Sequence, residues 1–432
     1  MSLRFRKKIQ ALLRQDLIPV SGKAERKSPL APPDFPELPA IKGLGMAAGD
    51  AAIKHAGRND LAIWTVDSGT SAAGLFTRSM LPAAPVTVTK EHIQAAPPRA
   101  LLVNSANANA FTGLQGLADC RTIARATAEA LGCKPEQVLM ASTGVIGEPL
   151  PVRQIMDRIP ELPKKIRPAA WQDAAEAIMT TDTFAKGAHA HAVIDGQPVT
   201  LCGVAKGSGM IAPNMATMLA FCFTDARIPG VQLHEMLLAS ADRTFNAITV
   251  DSDTSTSDML LLFATGKAGH APPGSVDDPR FEGFRAALDE LLKDLAIQIV
   301  RDGEGASKLI ETRISGAESD ASARKIAESV ANSPLVKTAI AGGDANWGRI
   351  IMALGKSGEN VQAEHLLIRI GGELVASGGQ RAENYDESRI TRHLEGDEIL
   401  IEAELQIGSG AFTIWTCDLT HGYISINADY RS

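Results

Sequence analysis

The chain has 432 residues, 45% of them apolar, a formal charge of −7 and only 4% aromatic residues. That is enough apolar material for one large unit or two to three domains, so a disordered chain is excluded; without a basic stripe or stacking platform, nucleic acid is excluded as a partner. Five scattered cysteines lack any Cys-x-x-Cys pair and no apolar stretch reaches the length of a bilayer span, which argues against a disulfide framework, a zinc site and a membrane protein, and fits a reducing cytoplasm.

Residues 1–35 stand apart: a basic, weakly amphipathic start is followed by the proline-rich run Pro29 to Pro39. A solvated appendage outside the fold is expected, in preference to a transit peptide. Leu61 to Val66 and Ala100 to Val103 read as buried strands. The second delivers Asn104, Asn107 and Asn109, by default turn residues. Asp119 is expected to cap a helix running to Leu131, with Ile123, Thr127 and Leu131 on one stripe and a stop at Gly132 and Pro135. A strand over Val138 to Ala141 then feeds Ser142-Thr143-Gly144.

Trp171 to Met179 reads as a helix, and Thr180 and Thr181 at its end either line a pocket or bond the helix terminus. Asp195-Gly196 is a hairpin signal whose second strand runs into Lys206. Lysines are usually solvated, but Lys206 opens a Gly-Ser-Gly loop, and glycine lets backbone and charge approach a ligand closely. The natural ligand there is a carboxylate. Eleven residues on, Thr217 opens the short apolar run Met218 to Phe223, a buried strand. A threonine at a strand mouth is ordinarily just β-branched strand material. It becomes a nucleophile only if something takes its proton, as its own α-amine does after chain cleavage before Thr217.

Asp251-Ser-Asp-Thr-Ser-Thr256 lacks EF-hand spacing and reads as a hydrogen-bonded loop. Phe281, Phe284, Leu288, Leu291, Leu295 and Ile299 form the stripe of a long helix that stops at Asp302-Gly-Glu-Gly, with Glu304 between two glycines. Leu309 to Ile314 alternates like a strand, and Asn346 starts a helical run to Leu354; Gly355-Lys-Ser357 lacks the Walker spacing. The tail segments Ile401 to Ile407, Phe412 to Leu419 and Tyr423 to Asn427 read as meandering antiparallel strands, with Asn427 on one face with Tyr423 and Ser425. Helices and strands in this order predict an α/β protein with substantial sheet layers.

The stretch around Ala216-Thr217-Met218-Leu219 resembles the autoprocessing site of the bifunctional ornithine acetyltransferase, or glutamate N-acetyltransferase, family of arginine biosynthesis. Further matches follow in the family's order: Asn104 to Ala110 with Thr112-Gly113, Ser142 to Gly147, Met179 to Thr183, Asp251 to Thr256, Asp302 to Lys308, Asn346 to Arg349 and Asn427 to Ser432. They cover the chain from about residue 40 onward. The family usually has glycine where Ser252 stands and asparagine where Ser257 stands.

This resemblance implies an α/β/β/α sandwich, similar in outline to N-terminal nucleophile hydrolases but differently connected. It implies self-cleavage between Ala216 and Thr217, so that beyond the extension 1–35 the catalytic unit has an alpha portion, 36–216, and a beta portion, 217–432. Thr217 is then the nucleophile, and the Thr143 side chain and Gly144 amide hold the oxyanion. Thr180, Thr181, Lys206, Glu304, Asn427 and Ser432 bind substrate, Glu304 meeting the side-chain ammonium and Lys206, Asn427 and Ser432 the α-carboxylate. The implied reaction moves an acetyl group from N2-acetylornithine to L-glutamate through acetyl-Thr217 without metal or cofactor; some members also accept acetyl-CoA. Members are heterotetramers of two alpha and two beta fragments. Two rivals remain: a self-processed aminopeptidase or amidase with the same N-terminal threonine, and an uncleaved binding module, against which the Ala216-Thr217 junction weighs.

Overall fold

A computed structural model describes residues 27–212, 218–383 and 385–428. Strands β1 (Leu44–Gly49), β2 (Leu61–Val66), β4 (Ala100–Asn104) and β5 (Val138–Ser142) form one sheet in that order. A second sheet runs β3 (Ser71–Phe76), β9 (Met259–Ala264), β8 (Leu219–Thr224), β7 (Gln197–Lys206) and β6 (Lys186–Ile194). The two sheets face each other: Trp64, Leu101 and Leu139 of the first pack against Val204, Phe221 and Phe263 of the second. The Trp64 ring lies 5.4 Å from that of Phe221.

Helices close both outer faces. Over the first sheet lie α1 (Ala84–Ala95), α2 (Gly113–Leu131) and α3 (Val152–Arg158), which bury Val88, Ile123 and Ile155 against Ile63 and Leu102. The short α4 (Trp171–Ala177) adds Trp171 to the layer between the sheets. Over the second sheet lie α5 (Gly230–Arg243) and α6 (Glu282–Arg301), with Leu237, Leu288 and Leu295 packed on Leu201, Ala220 and Leu262. The layer order is therefore α/β/β/α, as the resemblance implies. Every residue of β8 is buried because both of its faces are covered, which is why it reads as an unbroken apolar run.

The remainder builds a third sheet, ordered β13-β12-β11-β14-β10-β15, from β10 (Leu309–Ala317), β11 (Leu367–Ile370), β12 (Glu373–Ser377), β13 (Gln380–Arg381), β14 (Glu398–Glu404) and β15 (Gly410–Cys417). With it go α7 (Asp320–Ala331), α8 (Pro334–Ala341), α9 (Trp347–Gly355), α10 (Glu387–Leu394) and α11 (His421–Ala428). Ile326 of α7 and Ile350 of α9 share its core with Ile310, Ile368 and Ile401.

Four sequence expectations are corrected. The tail is not a meander: β10 lies between β14, which it pairs in parallel, and β15, which it pairs antiparallel. Tyr423 to Asn427 is helical rather than extended. Its five-residue alternation fits period two, but Ile424 is exposed and finds no sheet to pack on, while the Thr420 hydroxyl accepts the Gly422 N–H at 3.0 Å and caps the first turn. The α2 helix starts at Gly113, six residues before Asp119, which accepts a bond from Gln115 within the helix. Finally, residues 28–35 pack on the fold: Leu30 is buried in the α6 layer and the Ser28 hydroxyl donates to Arg301 O at 2.6 Å.

Candidate active site

Two loops and two strand ends meet at one edge of the paired sheets. Strand β5 ends at Ser142 and turns through Thr143 and Gly144. The turn requires glycine: Gly144 has φ +133°, and a Cβ there would lie 2.2 Å from Ala106 C. The facing wall of this turn is the asparagine segment after β4. Asn104 Nδ2 donates to Asn107 O at 2.9 Å, and Asn109 Nδ2 to Gly116 O at 3.0 Å. The default turn reading is corrected for two of the three: Asn104 ends β4 and Asn107 bridges to Thr143 and Val145.

Lys206 closes β7 and is 5% exposed. Its Nζ donates to Thr180 Oγ1 at 2.6 Å and to Thr143 Oγ1 at 3.4 Å, and pairs with Asp182 Oδ2 at 3.5 Å. Because an ammonium only donates, Thr143 accepts from it and keeps its own O–H proton free to donate. Beyond α6, Glu304 lies between Gly303 and Gly305. A Cβ at Gly305 (φ +73°) would sit 2.5 Å from Tyr423 N, and one at Gly209 would sit 2.4 Å from Glu304 Cδ, so the glycines let the carboxylate in. Glu304 Oε2 accepts from Asn427 Nδ2 at 2.7 Å. Burial pushes the Glu304 pKa up, only partly offset by bonds from Asn427 and Thr181.

These groups line one cavity of about 260 Å³, whose walls include Thr143, Gly144, Thr180, Thr181, Lys206, Glu304 and Asn427. Seven residues singled out from the sequence are thus brought together. Ala216, Thr217 and Ser432 lie outside the described residues. The next residue, Met218, is described, and it lines a second, smaller cavity with Thr143 and Lys206.

Sequence reasoning assigned no role to the ionic cluster beneath. Lys186 Nζ, with no exposed side-chain surface, donates to Asp182 Oδ1 at 2.8 Å and Asp302 Oδ2 at 2.6 Å. Asp182 also accepts the Thr180 and Gly207 amides at 3.0 and 2.6 Å, and Asp302 accepts the Thr183 amide at 2.9 Å. One lysine therefore ties together the three loops carrying Thr180, Lys206 and Glu304. Burial opposes charge on Asp182, but Lys186 and Lys206 outweigh it and hold its carboxyl below the usual range; for Asp302 burial wins and its pKa is raised. The available signal was Lys186 opening a strand four residues after Asp182.

The Asp251 loop is hydrogen-bonded, as read from the sequence: Asp251 accepts the Met210 and Ile211 amides at 2.6 and 2.9 Å and the Tyr423 hydroxyl at 3.3 Å. Ser252 has φ +65°, a left-handed conformation that the glycine expected there from the resemblance would adopt without strain. Among the described residues no group of three or more His, Cys, Asp or Glu is placed to hold a metal ion, and no helix is long and apolar enough to cross a membrane.

Fold and site define a layered α/β/β/α protein with a small-molecule cavity that sets a buried cation and a buried carboxyl in the same walls. Residues 45–432 match the model of the ArgJ family. The chain is 50% identical over 408 residues to the arginine biosynthesis bifunctional protein ArgJ of Agrobacterium fabrum, covering 94% of this chain and 99% of that one. The protein of the same name from Gluconobacter oxydans is 51% identical over 405 residues, covering 94% and 95%. Among solved structures, the arginine biosynthesis bifunctional protein argJ of Bacillus halodurans is 43% identical, covering 47% of this chain and 95% of that one, with a TM-score of 0.46. This chain belongs to the ArgJ family.

Proposed function

We propose that this chain is a self-processed acetyltransferase that moves the acetyl group of N2-acetylornithine to L-glutamate, giving ornithine and N-acetylglutamate. The observation that carries this reading is the pairing of Lys206 and Glu304 in one cavity with the Thr143-Gly144 turn. Acetylornithine is a zwitterion with a carboxylate at one end and an ammonium at the other, matched by those two side chains. The acetyl carbonyl between them develops negative charge on attack, and the Thr143 hydroxyl and Gly144 amide are the donors suited to it.

In this reading the chain is cut between Ala216 and Thr217, and the Thr217 hydroxyl attacks while its own α-amine, which titrates near ~8, takes the proton. Ornithine leaves, glutamate enters the same cavity, and the acetyl group returns from Thr217 to the glutamate nitrogen. No metal or cofactor is invoked. The word "bifunctional" in the relatives' name supports acetyl-CoA as a second acetyl donor to the same threonine. The working assembly is a cytoplasmic heterotetramer of two fragments 1–216 and two fragments 217–432.

The test is mass spectrometry of purified protein before and after acetylornithine is added without glutamate. Two fragments meeting at Ala216 and Thr217, and one acetyl mass on the fragment that begins at Thr217, are expected. An intact, active chain would refute the mechanism, and release of free acetate with glutamate present would favour a hydrolase instead.

A further inference from the structure

Lys186 has no exposed side-chain surface and does not line the cavity. All three protons of its ammonium are used: Asp182 Oδ1 accepts at 2.8 Å, Asp302 Oδ2 at 2.6 Å and Phe184 O at 3.3 Å. Each carboxylate is anchored in turn to a part of the site. Asp182 accepts the Thr180 amide and the amide of Gly207, next to Lys206, while Asp302 stands two residues before Glu304. Two further ties join the same parts. Gln298, in the last turn of α6, accepts the Gly187 N–H at 3.2 Å and donates to the Gly187 carbonyl at 3.0 Å. Ser208 O, in the loop after Lys206, accepts the Glu304 N–H at 3.0 Å.

Replacing a whole buried ionic cluster by apolar side chains of similar volume is often neutral or stabilising, so what such a cluster adds to a core is register. Its bonds are directional, whereas an apolar core of the right volume can repack. Here the register lies between Lys206 and Glu304, which share the walls of one cavity. A ligand that bonds both must match their separation, and a methylene too many or too few leaves one buried charge poorly met.

We propose that Lys186 is a specificity-determining positioning residue: by holding the Lys206 loop and the Glu304 loop at one separation, it selects acetylated diamino acids by the length of their side chains. The inference rests on the reading above in which Lys206 meets the α-carboxylate and Glu304 the side-chain ammonium. Acetylornithine fits the fixed span. Nα-acetyllysine, one methylene longer, and the acetylated diaminobutyrate one methylene shorter do not. One methylene is worth about 10- to 200-fold in kcat/KM.

The experiment measures kcat and KM of the purified protein for these three donors with glutamate as acceptor. The parent should prefer acetylornithine by about tenfold or more over each homologue. Lys186→Arg keeps the charge but replaces the compact ammonium with a planar fork of different reach. That preference should then collapse, chiefly through a higher KM for acetylornithine. A variant that is slower on all three donors with the parental preference intact would show that Lys186 only supports the fold, and would overturn the proposal while leaving the acetyltransferase reading standing. Equal use of the three donors by the parent would do the same. A parent that transfers acetyl from none of them would overturn both. Should Lys186→Arg not fold, Gln298→Met takes its place: it cuts the tie at Gly187 and must lower the preference too, and an unchanged preference rejects the proposal.

Discussion

Glu304 and Lys206 are the two side chains whose charges set what the cavity can hold, and they differ in how much of that charge is already answered. Lys206 leans on Asp182 at 3.5 Å, whereas Glu304 accepts from the neutral Asn427 amide at 2.7 Å. An ammonium on the ligand is the stronger partner for that carboxyl. Glu304→Gln is expected to lower kcat/KM for acetylornithine by the equivalent of about 2 to 5 kcal/mol, with self-cleavage unchanged. Steady-state kinetics against an acetylated amino acid that lacks a side-chain amine checks it, because preference should vanish between the two substrates. Lys186 shows the same logic in stability. Burial alone would strip its proton, but Asp182 and Asp302 outweigh burial and raise its pKa above the ordinary value of 10.5. A raised pKa contributes stability that is fully present below the unfolded value and is lost as pH rises through the folded one. Lys186→Met should therefore cost about 3 to 5 kcal/mol at neutral pH, leaving the buried Asp302 carboxyl without a cation and Asp182 with Lys206 alone, and the difference from the parent should shrink in strongly alkaline solution. Urea unfolding at neutral and alkaline pH measures both; a difference that grows with pH would contradict the assignment.

Among the elements, α11 is the one whose position depends most on a single backbone turn. It buries no residue of its own, and it meets the site through Asn427 on Glu304, Tyr423 on Asp251 and the Gly305–Tyr423 approach. The same Gly305 backbone holds the helix start, since Thr420 Oγ1 donates to Gly305 O at 2.6 Å. Gly305→Ala places a methyl 2.5 Å from Tyr423 N and demands φ +73° of a residue that disfavours it. KM for acetylornithine should rise at least tenfold, while the thermal midpoint falls by only a few degrees, because little core is disturbed. An unchanged KM in that variant would show that α11 does not shape the pocket.

At the scale of the molecule, the proposed cleavage point divides the sequence but not the fold. β8 lies beyond the junction, yet it pairs along Leu201 to Lys206 of β7 before it; on the other side β9 pairs with β3, so the two strands of the later portion lie between strands of the earlier one. The layer between the sheets mixes them too, Trp64 lying against Phe221 and Phe223. Fragments 1–216 and 217–432 should accordingly remain together in native size-exclusion chromatography and separate only in denaturant. Elution of either fragment alone under native conditions would count against this architecture.

What the sequence determined by itself was local or carried by resemblance. The α6 stripe, the Asp195-Gly196 hairpin and the strand read over Met218 to Phe223, one residue from the observed Leu219–Thr224, follow from periodicity and turn chemistry, which depend on near neighbours in the chain. Glycine loops marked Lys206 and Glu304, and likeness to a family supplied Thr143, Gly144, Thr180, Thr181 and Asn427. Tertiary structure alone decided the rest. A five-residue alternation cannot tell a strand from a helix until it is known whether a sheet edge is free to receive it, and Tyr423 to Asn427 found none. Strand order is equally invisible, because β10 can slip between β14 and β15 only through contacts about a hundred residues apart in sequence. The Asp182–Lys186–Asp302 cluster has the same origin: burial and the partners that answer it are properties of the packed chain, and no spacing of residues encodes them.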